Sequence, residues 1–161
     1  MKERIFLLLG TNMGDRKINL KRAIFQIEKL VGTINEESSV YQTAAWGKLD
    51  QPEFYNQVIE VESSLSAIEL LEIILGIEVK LGRERKEKWS ERLIDIDILL
   101  IGNEIIQTER LNVPHPQLAN RKFTLIPLVE IASDVVHPVL KKNMAELLAA
   151  CSDSLTVKKI Y

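Results

Sequence analysis

Two aspartates stand two residues apart near the middle of the chain, in a segment that otherwise reads as a buried strand, Arg92–Leu99. Because side chains alternate along a strand, Asp95 and Asp97 share one face with Leu93 and Leu99. The opposite face is apolar and consists of Ile94, Ile96, Ile98 and Leu100. Two carboxylates about 6–7 Å apart on one strand face resist desolvation unless cations or hydrogen-bond donors hold them. Mg²⁺ meets that need, and the alternative is an exposed face whose aspartates only contact water.

A strongly charged segment, Arg83–Arg92, comes directly before this strand. Its basic residues are suited to phosphate oxygens, as the aspartates are to Mg²⁺, so a nucleoside triphosphate would satisfy both sets of side chains. The basic residues that we expect to contact phosphate are Arg83, Arg85, Lys86 and Arg92. The alternative is a solvated charge run in which interspersed glutamates balance the basic residues. The segment lacks strand alternation and is predicted to be a mobile loop.

Three further motifs carry weaker signals. The segment Gly10–Asp15 has the outline of a phosphate loop but lacks the Gly-Lys-Ser/Thr ending of a Walker-type NTPase, and the alternative is a tight turn with an aspartate helix cap. His115 lies between two prolines, which fix the backbone around an imidazole that could face a ligand. Arg121 precedes a predicted helix and offers an anion partner beside the ring of Phe123. His137 is predicted to be structural or exposed.

The composition predicts one compact domain, residues 1–161, since 46% hydrophobic residues suffice for one core in a chain of this length. A net charge of −2 gives no global attraction to nucleic acid or to an anionic membrane. Cys151 is the single cysteine, which excludes an intrachain disulfide and favours a reducing compartment, the cytoplasm. The N-terminal apolar run Ile5–Leu9 is too short for a signal peptide or a membrane span.

Hydrophobic periodicity predicts the elements that position these motifs. Up to Leu99 they are a strand at Ile5–Leu9, a helix at Asp15–Leu30, strands at Thr33–Tyr41 and Tyr55–Val61, a helix from Ser66 to Gly82, and the aspartate strand. Ser66 and Glu69 form a capping box. The later elements are expected at Glu104–Gln107 (strand), Phe123–Ile131 and Met144–Cys151 (helices), and Thr156–Ile160 (edge strand). This order predicts an α+β, ferredoxin-like fold with a mainly antiparallel sheet.

The motifs resemble, in order and over nearly the whole chain, those of the 6-hydroxymethyl-7,8-dihydropterin pyrophosphokinase family. The segments that carry the resemblance are Gly10–Asp15, Ser39–Thr43 with Gly47, Phe54–Asn56, Arg83–Arg92 with Asp95–Leu99, Val113–Pro116, and Arg121–Phe123 with Pro127–Leu128. The resemblance implies a three-layer α/β/α architecture. It also implies transfer of the β,γ-diphosphate of the co-substrate ATP to the hydroxymethyl group of the reduced pterin, with release of AMP and with two Mg²⁺ ions as cofactors.

The resemblance also assigns roles to individual residues. Asp95 and Asp97 would ligate both Mg²⁺ ions, and Arg83 and Arg92 would contact the phosphates more strongly in the transition state. The remaining ATP-binding residues would be Glu78, Arg85, Lys86, Ile98, Arg110, Asn112, His115 and Arg121. The pterin-binding residues would be Thr43, Ala44, Trp46, Phe54, Asn56, Trp89 and Phe123. No separate general base is implied, so positioning and electrostatics are expected to provide most of the catalysis.

Two functions of other kinds compete with this one. A ferredoxin-like sheet can bind RNA through aromatic residues, but only 6% of the residues are aromatic and the net charge is slightly negative. The same aspartates could serve a metal-dependent phosphohydrolase that uses water as the nucleophile, and AMP formation that depends on the pterin alcohol would separate the two. We expect a monomeric cytoplasmic enzyme whose partners are ATP and the pterin, with no nucleic acid and no membrane.

Overall fold

The structure, a computed structural model, describes residues 2–44, 52–82 and 93–161. Its strands are β1 (Glu3–Thr11), β2 (Thr33–Glu37), β3 (Tyr41–Thr43), β4 (Phe54–Ser63), β5 (Asp95–Ile101), β6 (Ile106–Gln107), β7 (Asn112–Val113) and β8 (Lys158–Lys159). Its α-helices are α1 (Arg16–Leu30), α2 (Ala67–Lys80), α3 (Lys122–Ala132) and α4 (Met144–Ala150), and a 3-10 helix covers Leu118–Asn120. The charged segment predicted to be a mobile loop lies outside the described residues.

The N-terminal apolar run forms the central strand of the sheet. β1 pairs antiparallel with β4 on one edge and with β5 on the other, and residues 5–11 are buried. The sheet order is β5-β1-β4-β3-β8, and β2 also pairs with β4. Every strand pairing in the described part of the chain is antiparallel. The predicted ferredoxin-like order of strands and helices is therefore confirmed.

The second predicted strand, Thr33–Tyr41, is two strands in the structure, β2 and β3. The break falls at Ser38, whose hydroxyl accepts the N–H of Val58 at 2.9 Å, while its own N–H donates to the carbonyl of Val58 at 2.8 Å. A side-chain oxygen thus replaces a backbone carbonyl in the ladder, as serine and threonine side chains often do. The alternating pattern could not show this substitution.

Helices cover both faces of the sheet, which gives the expected three layers. One buried cluster joins α1 and α2 to the sheet and includes Ile27 and Ile74. A second buried cluster joins α3 and α4 to the sheet and includes Leu128 and Met144. β1 contributes to both clusters because its side chains alternate between the two faces, here named the α1–α2 face and the α3–α4 face.

The aspartate strand departs from the prediction in two ways. β5 begins at Asp95 rather than Arg92, since its pairing with β1 starts at that residue, opposite Gly10. Its register also shifts after Ile98, so that Leu99 is an extra residue in the ladder and Leu100 lies with it in the α3–α4 cluster. The predicted face of Leu100 is therefore wrong, because a bulge interrupts the strict alternation of side chains.

Two helix starts follow the predicted capping chemistry. Asp15 caps α1 by accepting the N–H of Ile18 at 3.1 Å, which confirms the predicted aspartate helix cap at the end of the Gly10–Asp15 segment. The capping box of Ser66 and Glu69 is present at the start of α2. These caps fix where α1 and α2 begin.

Candidate active site

Three adjacent strands bring predicted site residues into one row. Asn56 of β4 lies opposite Gly10 of β1, and Gly10 lies opposite Asp95 of β5. Directly paired residues of antiparallel strands share a face, and Leu8, two residues before Gly10, belongs to the α3–α4 cluster. Asn56 and Asp95 therefore project from the α3–α4 face, on strands about 10 Å apart, which is two interstrand spacings.

Gly10 forms an open floor between these two side chains. A Cβ atom at Gly10 would lie 3.4 Å from Oδ1 of Asn56 and 3.7 Å from Cδ1 of Phe54. Those distances are close to ordinary contacts, so the glycine is not required to avoid overlap with its neighbours. Its effect is to leave the space between Asn56 and Asp95 free of a central side chain.

The predicted pterin-binding residues of β3 and β4 form one buried polar pair beside an aromatic ring. Thr43 and Asn56 are each 3% exposed. Nδ2 of Asn56 donates to Oγ1 of Thr43 at 2.9 Å, which fixes the orientation of the amide and leaves its Oδ1 on the side of Gly10. Phe54 is half-buried next to them, and Ala44 is exposed at the end of β3. These four residues are close together, and their binding of the pterin stays a prediction.

The start of α3 adds a cation and a second aromatic ring to the same face. Phe123 is partly buried against the α3–α4 cluster. Cζ of Arg121 lies 5.5 Å from the centroid of the Phe123 ring, which is within the range of a cation–π contact. The predicted phosphate ligand and the predicted pterin ligand are therefore in contact with each other.

His115 lies between the cation and the carboxylates. Burial lowers the pKa of His115, the charge of Arg121 lowers it further, and the charge of Asp95 raises it. Its Nδ1 accepts the N–H of Gln117 at 3.1 Å, so the proton of the neutral imidazole is on Nε2. The backbone N–H of His115 donates to the carbonyl of Leu99 at 3.0 Å, which fixes the residue to the edge of β5.

A cleft of about 460 Å³ runs along the outer edge of β5. Asp95 and Asp97 line it, together with five of the predicted ATP-binding residues: Glu78, Ile98, Arg110, Asn112 and His115. Its apolar wall comes from Leu71, Ile74 and Leu75 of α2, which the sequence analysis did not assign to the site. Leu71 and Ile74 also pack in or against the α1–α2 cluster, so their apolar periodicity predicts a core contact and gives no separate signal for the cleft. The cleft therefore joins an apolar compartment to the carboxylates.

The cleft presents backbone atoms as well as side chains. Glu78 is 3% exposed and accepts the N–H of Ile96 at 2.8 Å, which shows that Ile96 directs its backbone away from β1. Ile98, two residues further along β5, directs its backbone to the same side because of strand alternation. Arg110 is exposed and forms an ion pair of 2.5 Å with Glu72.

The donor set fits magnesium that arrives with a phosphate substrate. Mg²⁺ usually binds through one or two carboxylates together with substrate phosphates and water. Asp95 and Asp97 are half-buried on one strand face beside His115 and Arg121. Within residues 2–44, 52–82 and 93–161, no group of three or more His, Cys, Asp or Glu side chains could hold a metal alone. Such a site would be completed by the phosphates of its ligand.

Six predicted site residues lie outside the described residues. They are Trp46, Arg83, Arg85, Lys86, Trp89 and Arg92. Their predicted roles therefore stay predictions. The described residues alone provide the carboxylate pair, the imidazole, the cleft, the amide–hydroxyl pair and two aromatic rings.

Comparison with known proteins identifies the family. A sequence model described as 7,8-dihydro-6-hydroxymethylpterin-pyrophosphokinase (HPPK) matches residues 6–133. The chain belongs to the HPPK family. It is 42% identical over 142 residues to the 2-amino-4-hydroxy-6-hydroxymethyldihydropteridine pyrophosphokinase of Aquifex aeolicus, covering 88% of each chain. It is 40% identical over 154 residues to the Haemophilus influenzae protein of the same name, covering 95% of this chain and 96% of that one.

Solved structures support the fold. The wild-type HPPK-DHPS of Plasmodium falciparum with pteroate superposes with a TM-score of 0.75 at 17% identity. The match covers 92% of this chain but only 42% of the Plasmodium chain, so this chain spans less than half of that protein. No helix in the described ranges is long and apolar enough to cross a membrane.

Proposed function

We propose that this chain, a pterin pyrophosphokinase, transfers the β,γ-diphosphate of ATP to the hydroxymethyl group of 6-hydroxymethyl-7,8-dihydropterin in folate biosynthesis. One observation carries the proposal beyond family membership. Asn56 and Asp95 flank Gly10 on neighbouring strands, so an amide suited to a pterin edge and a carboxylate suited to Mg²⁺ face one open space. A flat bicyclic ring fits between them with its hydroxymethyl end toward the carboxylates.

The pterin is proposed to bind on the Gly10 floor. Phe54 and Phe123 provide the aromatic contacts, and Asn56, oriented by Thr43, provides donors and acceptors for the edge of the ring. Ala44 borders this space at the end of β3. Trp46 and Trp89 are proposed to complete the pterin-binding set.

ATP is proposed to bind in the cleft along β5. The adenosine lies near Ile98 and Glu78, with Asn112 and Arg110 at the same wall. The triphosphate extends toward His115 and Arg121, where neutral His115 donates from Nε2 and Arg121 supplies positive charge. The remaining phosphate contacts are proposed for Arg83, Arg85, Lys86 and Arg92.

Asp95 and Asp97 are proposed to hold two Mg²⁺ ions, which neutralise the phosphate charge and lower the pKa of the substrate hydroxyl. The hydroxymethyl oxygen forms a bond to the β-phosphorus as the bond from that phosphorus to the α,β-bridging oxygen breaks. AMP leaves with the bridging oxygen, and the hydroxyl proton passes to solvent. Arg121, His115 and the floor at Gly10 hold the reactants in line, so most of the barrier reduction comes from positioning and electrostatics.

Residues 1–161 are proposed to act as one pyrophosphokinase domain, as a monomer in the cytoplasm. The partners in this proposal are ATP and the pterin, without nucleic acid or membrane. Sedimentation of the protein with both substrates at working concentration tests the monomer. A dimer under those conditions would contradict it.

Product analysis tests the reaction. The protein is mixed with ATP, Mg²⁺ and 6-hydroxymethyl-7,8-dihydropterin, and the products are separated beside a sample without pterin and one with EDTA. We expect equimolar AMP and pterin diphosphate from the wild-type protein and neither product from the Asp97→Ala variant. EDTA should abolish the reaction, and excess Mg²⁺ should restore it. Ile94→Val is the matched control, since Ile94 directly precedes Asp95 and is buried in the α1–α2 cluster. AMP formed equally without pterin, or ADP with free phosphate, would favour a phosphohydrolase.

A further inference from the structure

The C-terminal segment 151–161 lies beyond the part of the chain matched by the family model, and its anchoring connects two walls of the proposed pterin site. At one end, Oδ2 of Asp153 accepts the backbone N–H of Lys122 at 3.0 Å. Oδ1 of the same carboxylate accepts the N–H of Leu155 at 3.0 Å, which folds the segment around Asp153. The carboxylate is therefore committed to the first residue of α3 and to its own segment.

At its other end the segment is paired with β3. β8 pairs antiparallel with Tyr41 and Gln42, and Ile160 donates its N–H to the carbonyl of Val40 at 2.8 Å. The ring of Tyr161 packs edge to face against Tyr55, with centroids 6.0 Å apart. β3 carries Thr43 and is followed by Ala44, so the segment is attached to the strand that supplies part of the proposed pterin wall.

α3 is also attached directly to this strand. Glu130 of α3 accepts the phenol of Tyr41 at 2.8 Å and the hydroxyl of Ser39 at 2.6 Å. Burial and the Glu130 hydrogen bond raise the pKa of Tyr41 to about 12, so the phenol stays protonated as a donor. The contact holds the later part of α3. The first turn, where Arg121 and Phe123 lie, depends on a different anchor.

Asp153 is that anchor. Arg121 is the N-cap residue of α3, and its side chain makes no capping hydrogen bond. The first N–H groups of a helix have no intrahelical acceptor, and a carboxylate at this end also interacts favourably with the helix dipole. Asp153 satisfies the N–H of Lys122, the residue between Arg121 and Phe123. Asp153, which is 31 positions after Lys122 in the chain, thus caps the first turn of α3 in place of the Arg121 side chain.

We propose that Asp153 is a positioning residue for the pterin site, because its bond to Lys122 fixes the first turn of α3 and with it the ring of Phe123 and the guanidinium of Arg121. The inference rests on the proposed function, which assigns those two side chains to the pterin and the triphosphate. Asp153 does not touch substrate in this account. It acts through the backbone that carries Phe123.

The test compares kinetic constants for AMP formation in wild type, Asp153→Ala, Asp153→Asn and Asp134→Ala. Asp134 is the matched control, since it is an exposed aspartate just beyond the opposite end of α3. Loss of the cap in Asp153→Ala is expected to raise KM for the pterin about fivefold to tenfold. Asp153→Asn keeps one acceptor oxygen and should show a smaller rise, while Asp134→Ala should match wild type.

A double-variant cycle separates positioning from general stabilisation. In a Phe123→Leu background, Asp153→Ala is expected to change KM for the pterin by less than about twofold, since effects that act through one residue are not additive. An equal rise in both backgrounds would overturn the role. The role would also be overturned if both Asp153 variants had a lowered Tm but an unchanged KM for the pterin at temperatures well below that Tm. Asp153 would then be only a structural cap. Wild-type protein that forms no AMP would instead reject the proposed function on which the role depends.

Discussion

On the α1–α2 face, β1 and β5 present apolar side chains up to the site end of the sheet, where Leu9 and Ile96 are still buried in the core. On the α3–α4 face, the apolar side chains of the same two strands are replaced by a glycine and two aspartates at the site end of the sheet. Leu8 is followed on that face by Gly10, and the buried Leu99 is preceded by Asp97 and Asp95.

The difference shows how core packing and the proposed site chemistry lie next to each other along the same strands. Strand alternation gives neighbouring residues at the start of β5 different surroundings: Ile94 packs in the closed α1–α2 cluster, while Asp95 and Asp97 border the open cleft. The first turn of α3 marks the boundary on the α3–α4 face, because core packing gives way there to Arg121 and Phe123. Substitutions of the carboxylates and substitutions of core residues away from the cleft should therefore damage different properties of the protein.

The largest difference between loss of activity and loss of stability is expected for substitutions in β5. Asp95→Asn removes a proposed Mg²⁺ ligand and should lower kcat/KM about 10³-fold or more, since the charge stabilisation at the phosphates is lost. It should also lower the pKa of His115 further, because the charge of Asp95 raises that pKa. Steady-state kinetics and an NMR titration of His115 measure both.

The control for Asp95→Asn is Ile94→Val, which alters a buried residue of the α1–α2 cluster directly before β5. It should keep kcat/KM within about twofold and cost about 1 kcal/mol of unfolding free energy. Comparable losses of activity in the two variants would mean that the carboxylates and the core are not functionally separate.

The opposite result, a loss of stability without a loss of activity, is expected for a substitution in α1. Ile27 is fully buried in the α1–α2 cluster, and Ile27→Ala should lower the free energy of unfolding by about 2–5 kcal/mol through lost burial and a cavity. Because Ile27 lies in α1 and does not line the proposed ATP cleft, kcat of the folded fraction should not change. Urea denaturation and kinetics at low temperature check the two parts, and a tenfold fall in kcat would contradict the comparison.

A smaller effect, on both stability and pterin binding, is expected at the buried Thr43–Asn56 pair. Thr43→Val removes the acceptor of Asn56 Nδ2 in a buried position, which should cost about 1–3 kcal/mol of stability. The misoriented amide should also raise KM for the pterin about fivefold while KM for ATP stays constant. Thr33→Val on β2 is the matched control, since Thr33 is exposed. An equal rise in both KM values would place Thr43 outside the pterin wall.

The smallest effect concerns a buried histidine, His137, in the connection between α3 and α4. Burial lowers the pKa of His137, whose Nδ1 accepts the N–H groups of Val139 and Leu140 at 3.2 and 3.1 Å. The unfolded chain therefore binds the proton more tightly, and stability should fall as the pH drops below about 6.5. His137→Asn should flatten this part of the pH–stability curve. His115 titrates in the same sense in both proteins, so their difference isolates His137.

The sequence predicted elements whose signals are local. The helix caps at Asp15 and Ser66, the apolar run of β1 and the shared face of Asp95 and Asp97 all follow from short-range patterns. The partners across strands could not be predicted in this way, because register depends on distant segments. Gly10 was identified only as a turn residue, and its place between Asn56 and Asp95 emerged from the pairing.

Other features depend on a single atom or bond that periodicity does not encode. Leu100 changes face because of one extra residue in the ladder, and the strand after α1 divides where the Ser38 hydroxyl replaces a carbonyl. The cap that Asp153 gives to α3 joins residues 31 positions apart, and nothing near Lys122 in sequence indicates it. The site chemistry was thus more predictable than the contacts that hold it.

The position of β5 at the edge of the sheet has a consequence for the behaviour of the protein in concentrated solution. An exposed strand edge is a template for pairing with another molecule. Here the carboxylate of Glu78 accepts the outward N–H of Ile96, and the backbone N–H of His115 donates to the carbonyl of Leu99. A foreign strand would have to displace both to extend along β5. The edge can thus offer the backbone of Ile98 to a small ligand while resisting the continuous pairing that leads to aggregation.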